Sequence, residues 1–299
     1  MKAAFLPDRG VVKVAGDDAR TFLNGMLTTD VTKVTPELAR FGALLTPQGK
    51  IIVDCIVAEA AAAEGGGFFL DCPKALAFDF VKKLNFYKLR AKVICEDLSE
   101  VLGVMAVWEG QNGTKGADTD YGLVYTDPRL PELGQRIMLP PHLDKETAAD
   151  LGAELVDALD YEEHRIVLGV PRGGADFMYG DAFPHETDMD QLSGIDFDKG
   201  CYVGQEVVSR MEHRGSARTR IVPVDVDGAF APEAGLPVMA GDKQVGTTGA
   251  GWGNLALAML RLDRMADAQA AGKTLVAGGI ALEPRKPDWA TFEWPGKKV

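Results

Sequence analysis

The run DFDKGCYVGQEVVSRMEHRG, residues 196 to 215, sets one cysteine between two glycines, with a lysine, an amide, a carboxylate and arginines close by. Cys201 in that setting can be a nucleophile, a metal ligand or a small apolar residue filling a tight turn, since glycine supplies positive φ and a free cysteine packs like a hydrophobe. Lys199 before it, Arg210 and Arg214 after it, and a helix start at GQEVVSRM all favour the thiolate, because positive charge and a helix amino end lower a thiol's pKa. Gln205 and Glu206 add an amide and an acid beside the thiol, and both also suit the first turn of a helix.

The other candidates are weaker. Cys55, Cys72, Cys95 and Cys201 form no C-x-x-C pair, which argues against a zinc knuckle, a ferredoxin-type run or a thioredoxin motif. Cys55 and Cys95 sit in the apolar runs IIVDCIV and AKVIC and read as buried, inert thiols; Cys72 precedes Pro73 at a helix start. Arg210, Arg214, Arg218 and Arg220, with His213, face only Glu212 among acids, a local basic patch suited to one small anion. His213 lies twelve residues beyond Cys201 and activates it, as in a Cys–His enzyme, only if the chain folds back. His142, His164 and His185 show no metal-ligand spacing, and no permanently bound metal is expected.

The whole chain constrains these options. It has 299 residues, 46% hydrophobic, with a formal charge of −12. Such a field opposes generic binding to nucleic acid. The amino terminus lacks the roughly 7–15 residue apolar run of a secretory signal, and no stretch reaches about 18 apolar residues. The expectation is therefore a cytoplasmic protein with no membrane and no nucleic-acid partner.

The elements that position Cys201 follow from patterning. GVVKVAG alternates as a strand, and Ala19, Phe22, Leu23, Met26 and Leu27 recur at helical spacing. FGALLT and IIVDCIVAEA flank the turn PQGK as a hairpin, FFLDC follows as a strand, and Pro73 opens a helix carrying Leu76, Phe80, Val81 and Leu84. A second round runs from VLGVMAVW through the polar loop 109–120, YGLVYTD and RIMLP to two helices, DKETAADLGAEL and DALDYEEHRIVLG. Beyond about residue 216 short strands replace helices. The fold class expected is α+β: two α+β layers over residues 1–215 and a β-barrel module over 216–299.

KGCYVGQE followed by RMEHRG resembles the signature of the YgfZ family of folate-binding proteins, relatives of the glycine-cleavage T-protein. GVPRGGADF, FPHETDMDQLSGIDFDKG, VAGDDARTFLNGMLTTDV, LLTPQGKIIVDCIV and QVGTTG with LALAMLR resemble further stretches of that family, so the likeness spans almost the whole chain. It implies two ferredoxin-like halves and a barrel in a ring around a central channel that holds tetrahydrofolate. It also implies a role in maturing iron–sulfur enzymes, with assembly or client proteins as partners.

Carried over by position, the resemblance makes Asp54 the counterpart of the T-protein's acid, with Val53 where a second acid would stand. RIVLGVP matches a T-protein motif through Arg165, Gly169 and Pro171 but puts Val167 where a pterin-gripping glutamate would be. Cys201 and Gln205 replace a non-cysteine and a basic residue, which sets this chain apart from the aminomethyltransferases. The expected working residues are thus Cys201 and Asp54. Lys199, Gly200, Tyr202, Gly204, Gln205, Glu206, Arg210 and Arg214 are expected around a folate-like anion. The alternative is a folate-dependent aminomethyl or one-carbon transferase using Asp54.

Overall fold

A computed structural model describes residues 1–60, 66–110, 122–215, 217–228 and 230–295. From the amino end the chain forms β1 (Lys2–Leu6), β2 (Arg9–Ala15), α1 (Ala19–Met26), β3 (Arg40–Leu45), β4 (Ile51–Glu59), β5 (Phe68–Pro73), α2 (Lys74–Tyr87) and β6 (Ile94–Asp97). There follow β7 (Gly103–Trp108), β8 (Leu123–Thr126), β9 (Gln135–Leu139), α3 (Asp144–Asp150), β10 (Glu154–Leu155) and α4 (Ala158–Leu168). The chain continues with α5 (Gln205–Arg214), β11 (Thr219–Val226), β12 (Pro237–Ala240), β13 (Lys243–Trp252), β14 (Leu255–Arg261), α6 (Leu262–Ala270), β15 (Leu275–Ala277) and β16 (Ile280–Pro284). The polar loop expected over 109–120 falls mostly on residues outside the described ones.

By contacts the chain divides into two units. Unit 1 takes residues 1–47, 52–161 and 192–205; unit 2 takes 48–51, 162–191 and 206–299. The fold is mixed α+β, with two five-stranded sheets, ordered β3-β4-β5-β2-β6 and β10-β1-β7-β9-β8, and a closed barrel ordered β11-β14-β13-β12-β15-β16.

In unit 1, α1 buries Ala19, Leu23 and Met26 at helical spacing, and α2 buries Ala77, Phe80 and Leu84. Both stripes join one core with Val12, Cys55, Leu70 and Cys72 from the first sheet. Each large side chain so buried contributes about 1.5–3 kcal/mol. Val203, far along the chain, packs against the same core.

Three elements differ from the expectation. The opening residues form β1, which leaves its sequence neighbours and pairs with β7 and β10 in the second sheet. The helix expected over DKETAADLGAEL ends at Asp150; Gly152, at φ +64°, turns the chain, and Glu154–Leu155 add a strand parallel to β1. Inside the module expected to be all-β, α6 buries Leu262, Met265 and Ala268. That spacing of three was present in the sequence, masked by the flanking Asp and Gly residues that read as turns. Among the described residues no helix is long and apolar enough to cross a membrane.

Candidate functional site

Residues 192–205 return to unit 1 and are fastened there by hydrogen bonds that begin in the loop after α1. Thr28 Oγ1 donates to Gly194 O at 2.5 Å, and Asp196 N donates to Thr28 O at 3.0 Å. Lys33 Nζ meets Asp196 Oδ2 at 2.5 Å and Asp30 Oδ2 at 3.5 Å. Asp30 also accepts from Thr32 N at 3.0 Å and holds that loop in a short helical turn.

Lys199 completes the attachment. Its ammonium donates to Asn24 O and Leu27 O at 2.6 Å and to Thr29 O at 2.7 Å. These oxygens lie at and just beyond the carboxyl end of α1, where main-chain carbonyls lack helical partners and carry the negative end of the dipole. Burial pushes the Lys199 ammonium down to about 8, against the opposing pull of Asp30 and Asp196. All three donors are used. Lys199 is therefore a structural anchor, with no donor left for the ligand contact that the sequence suggested.

The next residues alternate between anchored and free. Tyr202 is 8% exposed, its ring 5.0 Å from the Lys199 ammonium, and burial pushes its phenol up. Cys201 between them is exposed. Gly204, at φ +84°, needs glycine to turn the chain into α5. Gly200 has no such constraint, and a Cβ placed there meets nothing within 4 Å.

The remaining cysteines are shielded. Cys55, Cys72 and Cys95 are all buried, and burial pushes each thiol up. Asp54 sits on β4, 8% exposed, between Val53 and Cys55 of the core.

Gln205 and Glu206 form the first turn of α5, and Glu206 is exposed. The basic patch is smaller than the run of arginines implied. Arg210 pairs with Glu206 at 2.5 Å and Arg218 reaches Asp263 at 3.8 Å. Arg220 is 5% exposed and bound to Asp190 at 2.5 Å and 2.9 Å, to Asp188 at 3.3 Å, and to His185 O at 2.7 Å. Arg214 is exposed in the last turn of α5. The acids that neutralise Arg218 and Arg220 come from remote segments that a linear charge count does not see. His213 is exposed in the last turn of α5.

Two features of unit 2 had no sequence signal. His185, Asp190 and Glu212 bring ligand atoms within 4.8 Å of one another, with His185 Nε2 3.0 Å from Glu212 Oε2. Both Asp190 oxygens are held by Arg220, so a guanidinium already supplies the positive charge beside that group. The second feature is a cavity of about 450 Å³ whose lining includes Lys50, Phe177, Met178, Met259, Arg261 and Arg264.

Removing the Lys199 ammonium should cost stability. Lys199→Met leaves three carbonyls, two of them buried, without their donor and is expected to lower the unfolding free energy by about 2–3 kcal/mol, read as an earlier urea midpoint with an unchanged slope. A loss under about 0.5 kcal/mol overturns the anchoring role.

Residues 218–292 match the family described as CAF17, C-terminal beta-barrel domain. Across the chain, the mitochondrial iron–sulfur cluster assembly factor IBA57 of Homo sapiens is 31% identical over 310 residues, spanning 97% of this chain and 84% of the relative. The mitochondrial IBA57 homolog of Pyricularia oryzae is 31% identical over 296 residues, spanning 91% and 75%. That of Mycosarcoma maydis is 35% identical over 240 residues, which span 77% of this chain and 59% of the relative. In structure, the glycine cleavage system aminomethyltransferase T from Bartonella henselae superposes with a TM-score of 0.75 at 17% identity, over 97% of this chain and 86% of that one. The cytoplasmic location expected from the sequence is corrected by these relatives, which are named as mitochondrial. Charge and hydropathy do not distinguish those compartments.

Proposed function

Because the chain belongs to the IBA57 family of iron–sulfur cluster assembly factors, we propose that it assembles or repairs iron–sulfur clusters and meets the cluster through the Cys201 thiol. One observation carries the reading: Cys201 is exposed while Lys199 and Tyr202 on either side of it are anchored in unit 1. A soft, ionisable ligand is thereby presented at a fixed place. Clusters take about four protein ligands, so one cysteine cannot hold one alone. The cluster is cargo, shared with an assembly or client protein or with a small thiol.

Tetrahydrofolate or a related anion is the proposed second ligand, in the cavity of unit 2. A planar ring suits Phe177, Met178 and Met259, and a carboxylate tail suits Lys50, Arg261 and Arg264. The volume lies within the roughly 300–1,000 Å³ of small-molecule pockets. Val167, 51% exposed on α4, is not among the residues lining this cavity. Asp54 in its apolar strand adds nothing that favours the transferase alternative.

Expression of this chain in cells lacking their own assembly factor of this family tests the proposal. Iron–sulfur enzyme activities should return toward those of the parent cells. Activities that stay at the level of the empty vector overturn it.

A further inference from the structure

The solvent side of α2 carries apolar residues that its packing does not explain. The helix already buries Ala77, Phe80 and Leu84, yet Phe78 and Phe86 are 62% and 76% exposed. Phe78, Lys82 and Phe86 succeed one another at intervals of four, which lines them along one side of the helix. The Lys82 ammonium lies 4.2 Å from the Phe78 ring centre.

Just past the helix, Leu89 is 88% exposed at φ +45°, a conformation a bulky residue adopts only under strain. The turn is fixed on both sides: Ala91 N bonds Lys88 O at 2.7 Å, Lys92 N bonds Asp18 Oδ2 at 2.8 Å, and Val93 is in the core.

The charge around this stripe reverses that of the protein. Residues 74–92 carry six basic side chains and one acid, Asp79, in a chain of net charge −12. Lys83, Lys88 and Arg90 make no ion pair among the described residues. Lys82 pairs with Asp79 at 3.7 Å, Lys74 with Glu100 at 3.4 Å and Lys92 with Asp17 at 3.5 Å, so the cations left to the rim are Lys83, Lys88 and Arg90; an apolar strip beside them is complementary to an apolar spot within an acidic surface.

We propose that the outer face of α2, with Phe78, Phe86 and Leu89 at its centre and Lys83, Lys88 and Arg90 at its rim, docks an acidic protein partner. A protein is favoured over an anionic lipid surface because Leu89 is fixed by a strained backbone. A fluid bilayer does not require a side chain at one position; a complementary protein surface does. The proposal rests on this patch and not on the role of Cys201.

The test places photoreactive benzoylphenylalanine at position 86 of the full chain in the complemented cells. The crosslinked protein is identified by mass spectrometry, purified, and titrated at two ionic strengths against wild type, Phe86→Glu, Phe86→Leu and the pair Lys83→Glu with Arg90→Glu. Vesicles of phosphatidylserine and phosphatidylcholine in equal parts are titrated alongside. The expected result is an acidic protein whose affinity falls about tenfold or more with Phe86→Glu and with the charge pair, falls with salt, and is nearly kept by Phe86→Leu. The proposal is overturned by the absence of a protein crosslink, by a neutral or basic partner, by affinities unchanged in the variants, or by binding to vesicles alone. Circular dichroism of each variant confirms the fold. Alkylation of Cys201 should not change in any of them, which separates failure here from failure of the thiol reading.

Discussion

Cys201→Ser should leave the protein folded and should abolish the proposed restoration of iron–sulfur enzymes. The stability half follows from exposure: the side chain is exposed, and changes at exposed positions cost within about 0.5 kcal/mol. The anchors of the segment are the Lys199 ammonium on three carbonyls and the buried Tyr202 ring, and none of these changes. The functional half follows from the ligand: a serine hydroxyl is a hard, weak ligand, whereas a cysteine sulfur is a soft one suited to iron–sulfur chemistry. Loss of a group that merely supports a metal ligand costs roughly 10–100-fold, so loss of the ligand itself should cost at least that much in restored activity.

Two controls sharpen the result. Alkylation should modify Cys201 well ahead of Cys55, Cys72 and Cys95, whose thiols are buried and pushed up by that burial. Gly200→Val, in open space and without positive φ, should fold normally and yet impede the approach of a large partner to the thiol. If Cys201→Ser restores the enzymes as fully as wild type, the cysteine only fills a turn and the proposed role fails.

The division between what could and could not be read from the sequence follows from the range of the interactions. Strands and helices with strong periodicity, such as α1 through Ala19, Leu23 and Met26, needed only local information. The switch to short strands after residue 216 and the exposure of Cys201 among turn residues were similarly local. Pairings between distant residues were not legible. β1 joins β7 across about a hundred residues, and Arg220 meets acids some thirty residues upstream. Lys199 shows this most clearly: beside Cys201 in sequence it looked like a counter-charge, but its ammonium reaches carbonyls more than 170 positions away. The TTD at 28–30 matched the family pattern, but only the hydrogen bonds from Thr28 and Asp30 give that match a physical role.

Asp71→Asn should be the most destabilising single change in unit 1. Asp71 is fully buried on β5, accepts from Arg9 Nε at 2.6 Å on one oxygen, and accepts from Arg136 Nη1 at 2.6 Å and Tyr125 OH at 2.9 Å on the other. Arg136 also holds Asp127 at 2.9 Å, and Arg129 closes on the same carboxylate at 2.7 Å. The network joins the first sheet, through β2 and β5, to the second, through β8 and β9. An amide in place of the carboxylate leaves two buried guanidiniums short of a counter-charge, for which about 3–5 kcal/mol is expected. Combined with Arg136→Leu the loss should be less than additive, since each change removes the same contact.

The pH dependence has a definite sign. Burial alone would raise the Asp71 carboxyl, but Arg9 and Arg136 hold it below its ordinary 3.8; burial opposes Asp127 likewise and is outweighed by Arg129 and Arg136. A folded value below the unfolded one means stability that is complete above pH 3.8 and is lost as pH falls through the folded values. Asp188 in unit 2 has the opposite sign: full burial raises its carboxyl well above 3.8, so its ionisation costs stability and acid relieves that cost. Global unfolding therefore mixes both effects, and hydrogen exchange of the β5 and β9 amides isolates the first. Their protection should be flat from about pH 7 to 4 after correction for intrinsic exchange and fall below that, with a shallower fall in Asp71→Asn because one of the two titrating groups is gone. A variant that loses under about 1 kcal/mol, or whose acid fall is as steep as wild type, shows that the network does not hold the two sheets together.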